Sequence, residues 1–324
     1  MRLLHVVSHP IQYQAPLFRR LAAVPDVDLR VLFERDTEAG YFDSGFSREV
    51  RWDVPLRDGY DSVVRSQTDW EQELSACDAV WAHGWQGIWM LRVIGRARAL
   101  GKPVLMRGEN TDSAMADGRG PRGWLKRGFL RWVFARCDAF LAIGRANRDY
   151  YLRHGVAAER IFSMPYAVDN DFFRTRARAA RPHRAELRRS LGLDDDRPVI
   201  LFAGKLIRRK HPELLLSAWA RAPWPGEKPA LLYVGDGELR GALERSAPSG
   251  VHFLGFRNQT ELPAFYDLAD VFVLPAEREP WGLAVNECMA CGTAVIVSDQ
   301  VGCAPDLVDP SCGAIVPCRD EGAL

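Results

Sequence analysis

The 324 residues contain no uncharged apolar run of about eighteen residues, the length a helix needs to cross a bilayer. The opening stretch from Met1 to Pro10 holds only a short apolar run, too little for the core of an export signal. Cysteine is sparse and odd in number, at seven, which argues for free thiols in a reducing compartment and an expected cytoplasmic location. Net charge is almost absent. With 43 lysines and arginines against 42 aspartates and glutamates the balance is +1, so the whole-molecule field is not one suited to nucleic acid. There is no tandem repeat of fixed period and no low-complexity segment longer than one Arg-rich stretch near the middle of the chain. Cys288 and Cys291 form a C-x2-C pair without a second close pair; buried thiols in a helix fit better than zinc, and no metal site is expected.

What is present is a globular composition, 47% apolar, in a chain longer than one hydrophobic core usually carries, so two domains are expected. Short apolar runs at Leu3–Ser8, Asp28–Phe33, Ala79–Ala82, Pro103–Arg107, Ala139–Ile143 and Ile161–Met164 alternate with helical patterns, the mark of a parallel sheet. A second alternation follows at Val199–Ala203, Ala230–Val234, His252–Leu254, Val271–Leu274 and Ala294–Val297. Between them lies an Arg-rich stretch with the run Asp194, Asp195 and Asp196, which reads as a connection. The expected organisation is a first Rossmann-like domain over 1–170, a connection over 171–197 and a second Rossmann-like domain over 198–324. Doubly wound domains bind ligands beyond the carboxyl ends of their strands, so a ligand is expected in a cleft between the two.

The most informative stretch is EPWGLAVNE, which sets Glu279 before a helix and Glu287 inside it, eight positions later. Gly282 and Leu283 at the helix start would offer free amides to phosphates or hydroxyls. At the end of the strand Val199–Ala203, FAGKLIRRKHP places Gly204, Lys205 and Lys210 where two ammonium groups could neutralise a leaving diphosphate. VGDGELR puts Gly235 at another strand-to-helix junction, and HFLGFR places Arg257 on the same edge, where a base could be contacted.

These stretches, in this order, resemble the retaining glycosyltransferases of family 4, from about residue 3 to the end of the chain. EPWGLAVNE resembles that family's E-x7-E motif, FAGKLIRRKHP its diphosphate turn, and VGDGELR its Gly-rich turn. In the first half, IFSMPYAVDNDFF and SHPIQYQAPLFRRLA resemble its junction between domains and its first loop. The resemblance implies a GT-B fold, in which two Rossmann-like doubly wound domains face each other across a cleft. It implies transfer of a sugar from a UDP- or GDP-linked donor to an acceptor hydroxyl, with retention of anomeric configuration and with neither metal nor further cofactor. By it, Glu279 would contact sugar hydroxyls, Glu287 the ribose, and Lys205 and Lys210 the diphosphate, with amides near Gly282 assisting. His83, which ends the strand Ala79–Ala82, would face the sugar, and the stretch Arg107, Gly108, Glu109 and Asn110, which ends the next strand at the same edge, is expected to line the acceptor or sugar side.

The chain departs from the family pattern in three ways. Lys205 stands where the family often has arginine, His9–Tyr13 replaces a glycine-rich first loop, and the second domain reads as incomplete after Gly313–Pro317. Two readings compete with transfer: a nucleotide-sugar-binding module or inactive partner subunit, and a non-transferase of the same architecture such as a sugar-nucleotide epimerase or a phosphorylase. Finally, Arg119–Arg136 carries six basic residues and no acid, interleaved with Trp124, Leu125, Phe129, Leu130, Trp132, Val133 and Phe134. Part of its apolar surface must face the domain core, and the rest suits peripheral contact with an anionic membrane.

Overall fold

Strands with apolar side chains on both faces form the centres of two parallel sheets, as burial under helices on either side requires. The computed structural model describes residues 1–112, 120–193 and 196–324; Arg119, Asp194 and Asp195 lie outside the described residues. The strands are β1 (Arg2–Val7), β2 (Asp28–Phe33), β3 (Tyr41–Asp43), β4 (Arg48–Val50), β5 (Asp61–Val64), β6 (Ala79–His83), β7 (Val104–Arg107), β8 (Ala139–Ala142) and β9 (Ile161–Ser163) in the first half. The second half adds β10 (Val199–Ala203), β11 (Ala230–Val234), β12 (Val251–Gly255), β13 (Val271–Leu274), β14 (Ala294–Ser298) and β15 (Gly313–Val316).

The first sheet runs β5-β2-β1-β6-β7-β8-β9 and the second β12-β11-β10-β13-β14-β15. The direction of winding reverses between β1 and β6 in one and between β10 and β13 in the other. Those two reversal points are where such sheets hold ligands. Because successive side chains point to opposite faces, β1 feeds two cores at once. Leu4 and Val6 pack with Trp89, Val93, Phe134 and Tyr151 on one face, and Leu3 and Val7 with Phe18, Phe33 and Trp81 on the other. Each such side chain contributes about 1.5–3 kcal/mol by leaving water.

The chain divides into two units, Met1–Ala39 with Pro55–Tyr166, and Gly40–Val54 with Ala167–Leu324. Two features differ from the expected boundaries. The stretch expected as a connection carries the helices Asn170–Ala180 and Arg184–Ser190 and lies in the second unit. Its first helix is capped by the Asp169 carboxylate, which accepts from the Phe172 amide at 3.1 Å, and it buries Phe173 and Ala177. Arg181 then pairs with the buried Asp267 at 2.8 Å. The second feature is the antiparallel hairpin β3-β4, which comes from the first half of the sequence yet belongs to the second unit. Its short polar strands carry no alternation from which to read them, and the half-exposed β5 and β15 are equally faint.

Candidate active site

In the second unit the reversal point is built by two turns and one helix. β10 and β11 end side by side, and their turns lock backbone to backbone: the Gly204 amide donates to the Val234 carbonyl and the Leu206 amide to Asp236, both at 2.8 Å. A Cβ on Gly235 would lie 1.8 Å from the Gly204 carbonyl oxygen. Gly235 is therefore demanded by the neighbouring turn, a more local reason than close approach of a nucleotide. Gly204 itself has φ of +146°, and a Cβ there would meet the Lys210 ammonium at 3.3 Å.

Lys210 Nζ lies 3.1 Å from the Glu279 carboxylate, with both side chains largely buried, and Arg209 approaches the same oxygen at 3.4 Å. Glu279 is held by a parallel bridge to Val301, and its carbonyl accepts from Gly302 at 2.9 Å. Beyond it Gly282, at φ of +99°, starts the helix Leu283–Ala290. The amides of Leu283 and Ala284 have no carbonyl four residues back within the helix and are available to an anion or hydroxyl. Glu287, one turn further, is buried and accepts from the Tyr266 hydroxyl at 2.7 Å. Burial pushes its carboxyl up to about 7, against the opposing pull of Tyr266, Gln259 and Lys210. The structure thus brings Gly204, Lys210, Glu279, Gly282, Leu283 and Glu287 to one strand edge. Lys205 lies on the same turn, bound to Asp43. Arg257 is placed differently from expectation: its guanidinium bonds Glu261 at 3.1 Å within its own turn and packs over Phe265.

The first unit has its own polar cluster at its reversal point. His83 ends β6, and Gln14 and the Tyr166 hydroxyl each stand 3.4 Å from its ring nitrogens. Glu109, just past β7, lies 3.9 Å from His83 Nε2 and accepts from Tyr13 at 3.1 Å and from Tyr166. Burial works against its ionisation, yet His83 and the two tyrosines outweigh burial and hold the carboxyl down to about 2. Beneath them His5 is fully buried between Phe18 and Trp81, and burial lowers its pKa so that it stays neutral. Tyr13, Gln14 and Tyr166 lie within the stretches SHPIQYQAPLFRRLA and IFSMPYAVDNDFF but were not singled out one by one, because the partners they meet are 57 to 96 positions away in the sequence.

The cysteine pair falls where a buried helix was expected: Cys288 and Cys291 are both buried free thiols, with burial pushing Cys291 up to about 12. Among the described residues no three or more of His, Cys, Asp and Glu gather as metal ligands.

Residues 183–324 match the family model described as "Glycosyl transferases group 1", and residues 4–167 that described as "Glycosyl transferase 4-like domain". Among curated proteins the chain is 31% identical over 198 residues to D-inositol 3-phosphate glycosyltransferase of Xylanimonas cellulosilytica, covering 58% of this chain and 47% of that protein. It is 29% identical over 199 residues to alpha-D-kanosaminyltransferase of Streptomyces kanamyceticus, covering 60% and 50%. The match thus spans about half the length of these relatives. Among solved structures, Anabaena HepE in complex with UDP and glucose superposes with a TM-score of 0.72 at 16% identity, covering 100% of this chain and 87% of that one. Sucrose-phosphate synthase from Thermosynechococcus elongatus gives 0.69 at 20% identity, covering 100% and 87%. With one family model matching half of the chain, a second matching most of the remainder and the fold shared throughout, this chain belongs to the glycosyl transferase 4-like family of GT-B proteins.

Proposed function

We propose that this chain transfers a sugar from a nucleoside diphosphate sugar to an acceptor hydroxyl, with retention of anomeric configuration and without a metal. The observation that carries the reading is the cluster at the β10/β13 reversal point, where Lys210 and Glu279 share one strand edge with Glu287 and the helix-start amides of Leu283 and Ala284. In this reading Lys210 and Lys205 neutralise the diphosphate as its charge grows. Glu279 then turns from Lys210 to the sugar hydroxyls, and Glu287 takes the ribose. Retention follows if the departing phosphate oxygen accepts the acceptor's proton on the face it leaves. The first unit's cluster of His83, Gln14, Tyr166 and Glu109 is assigned to the acceptor and the transferred sugar. HepE, which shares the fold, is seen with UDP, so a UDP-linked sugar is the first donor to test and a GDP-linked one the second.

The readings as a binding module, an inactive partner subunit or an epimerase have no particular residue in their favour. A thermal-shift screen of nucleoside diphosphates identifies the base, since a ligand at 100 times its Kd adds about 2.7 kcal/mol. Product analysis with the matching sugar nucleotide then separates transfer from binding and from epimerisation. Lys210→Ala is expected to lower turnover by roughly 10²–10³ while the fold is kept, and a chelator is expected to leave turnover unchanged. Wild-type turnover in Lys210→Ala, or its loss to the chelator with recovery on adding manganese, would sink this assignment.

The location proposed is cytoplasmic, with peripheral contact to an anionic membrane through the helix Pro121–Phe134. That helix buries Leu130, Val133 and Phe134 and leaves Trp124, Leu125, Phe129 and Trp132 exposed beside Arg122 and Arg131. Among the described residues no helix is long and apolar enough to cross a membrane.

A further inference from the structure

The hairpin β3-β4 reaches the turn that carries Lys205 and sets a carboxylate on it. Asp43 lies 2.8 Å from the Lys205 ammonium, and Phe46 places its ring 5.0 Å from the same group. Gly45 is pressed so close that a Cβ there would fall 2.6 Å from Lys205 Cδ, and a Cβ on Gly237 would fall 2.9 Å from the Gly45 carbonyl oxygen. The hairpin tip thus lies on two of the turns assigned to the donor. Its base is tied down separately, where Asn258 donates to the Arg51 carbonyl at 2.7 Å and the Thr260 amide donates to Asp53 at 3.2 Å.

We propose that Asp43 is a built-in competitor for the donor diphosphate: it occupies Lys205 in the unliganded protein and leaves that lysine when a diphosphate arrives, the tip swinging about its anchored base. This inference rests on the donor site described above. The charges support it. Glu279 is on Lys210 and Asp43 on Lys205, so each lysine assigned to the phosphates already has a carboxylate partner. A diphosphate reaching Lys205 meets the Asp43 carboxylate already there, and repulsion between the two anions favours the departure of Asp43. Burial opposes the ionisation of Asp43, but Lys205 and the amides of Phe46 and Gly45 outweigh it and hold the carboxyl below its usual range, so the competitor is charged at neutral pH. The consequence is that a phosphate arriving at Lys205 binds in exchange for the Asp43 contact, which lowers the affinity of this turn for any anion.

Asp43→Asn tests this with little disturbance, since the amide oxygen can still accept from Gly45 and Phe46, which bond one carboxylate oxygen at 2.8 and 3.2 Å. In titration calorimetry with UDP and with GDP, Asp43→Asn should bind the preferred diphosphate about ten-fold more tightly than the unchanged chain, and this gain should vanish in a Lys205→Gln background. In the unchanged chain, saturating diphosphate should speed amide hydrogen exchange across residues 40–54. Equal or weaker binding by Asp43→Asn, or exchange in the hairpin that is unchanged or slowed, overturns the competition while leaving the donor site in place. If neither protein binds UDP or GDP, the donor site itself falls, and the competition with it.

Discussion

At the scale of the residue, Glu287 is the side chain whose chemistry can be read most directly. An unfolded glutamate titrates near 4.5, whereas burial raises the folded one to about 7. Between those values the folded chain holds a proton that the unfolded chain releases, so this group's contribution to stability falls as pH rises through the window. Ribose hydroxyls donate hydrogen bonds and favour the carboxylate over the acid. Nucleoside diphosphate binding at pH 6 is therefore expected to release close to one proton and to strengthen by up to roughly ten-fold per pH unit until about pH 7. Calorimetry in two buffers of different ionisation enthalpy measures that release, and Glu287→Gln should abolish it. A proton count of zero in the unchanged chain would mean that Glu287 does not meet the ribose. The two glutamates eight apart and the two lysines could be picked out in the sequence by their places at a helix start and a strand end, although acids are common at helix starts for dipole reasons alone. The partners that tune them could not be picked out. Tyr266 and Gln259 lie 21 and 28 positions before Glu287 and reach it only through the fold.

At the scale of the element, the apolar strands were the legible part. β2, β10, β11 and β13 have the limits that their apolar runs suggest, because a strand buried on both faces can carry little else. The hairpin β3-β4 was not legible, since Tyr41–Asp43 and Arg48–Val50 are short, half-exposed and largely polar. Its meaning comes from tertiary contacts alone. The glycines at the ends of β10 and β11 illustrate a middle case: their presence was plain, their reason was not. A methyl group on Gly235 would overlap the Gly204 carbonyl, whereas one on Gly292, with φ of +91°, would enter open space. Gly235→Ala is accordingly expected to cost about 3 kcal/mol or more, because two backbones must separate. Gly292→Ala should cost only the left-handed strain of about 1 kcal/mol. Urea unfolding of the two variants checks the order, and equal losses would show that the turns at β10 and β11 can part without penalty.

At the scale of the whole molecule, near-neutral charge and the lack of a long apolar run left surface chemistry to local patches, and one such patch stands out. Arg122, Trp124, Leu125, Arg131 and Trp132 are exposed on the helix Pro121–Phe134, and Ile88, at the start of the helix Ile88–Ala99, is exposed too. Phe129 stacks on Trp132 with ring centres 5.9 Å apart and meets Trp85 edge to face, while the Arg136 guanidinium lies 3.6 Å over Trp132. Leaving large rings in water is unfavourable, and arginine beside tryptophan is the combination that the headgroup region of an anionic bilayer accepts. The sequence showed the mixture of residues but not which of them the core takes; the structure assigns Leu130, Val133 and Phe134 to the core. Each cation near such a surface adds about 1 kcal/mol, so replacing Lys126, Arg127 and Arg131 by glutamine should weaken co-sedimentation with phosphatidylserine-containing vesicles by roughly a hundred-fold. Trp124→Ser should weaken binding to the same vesicles by loss of apolar area, with little effect of salt. Neither change should alter nucleotide binding, which is proposed for the second unit. Equal sedimentation with neutral and anionic vesicles, or none with either, would leave these rings without a lipid partner and point to a soluble acceptor.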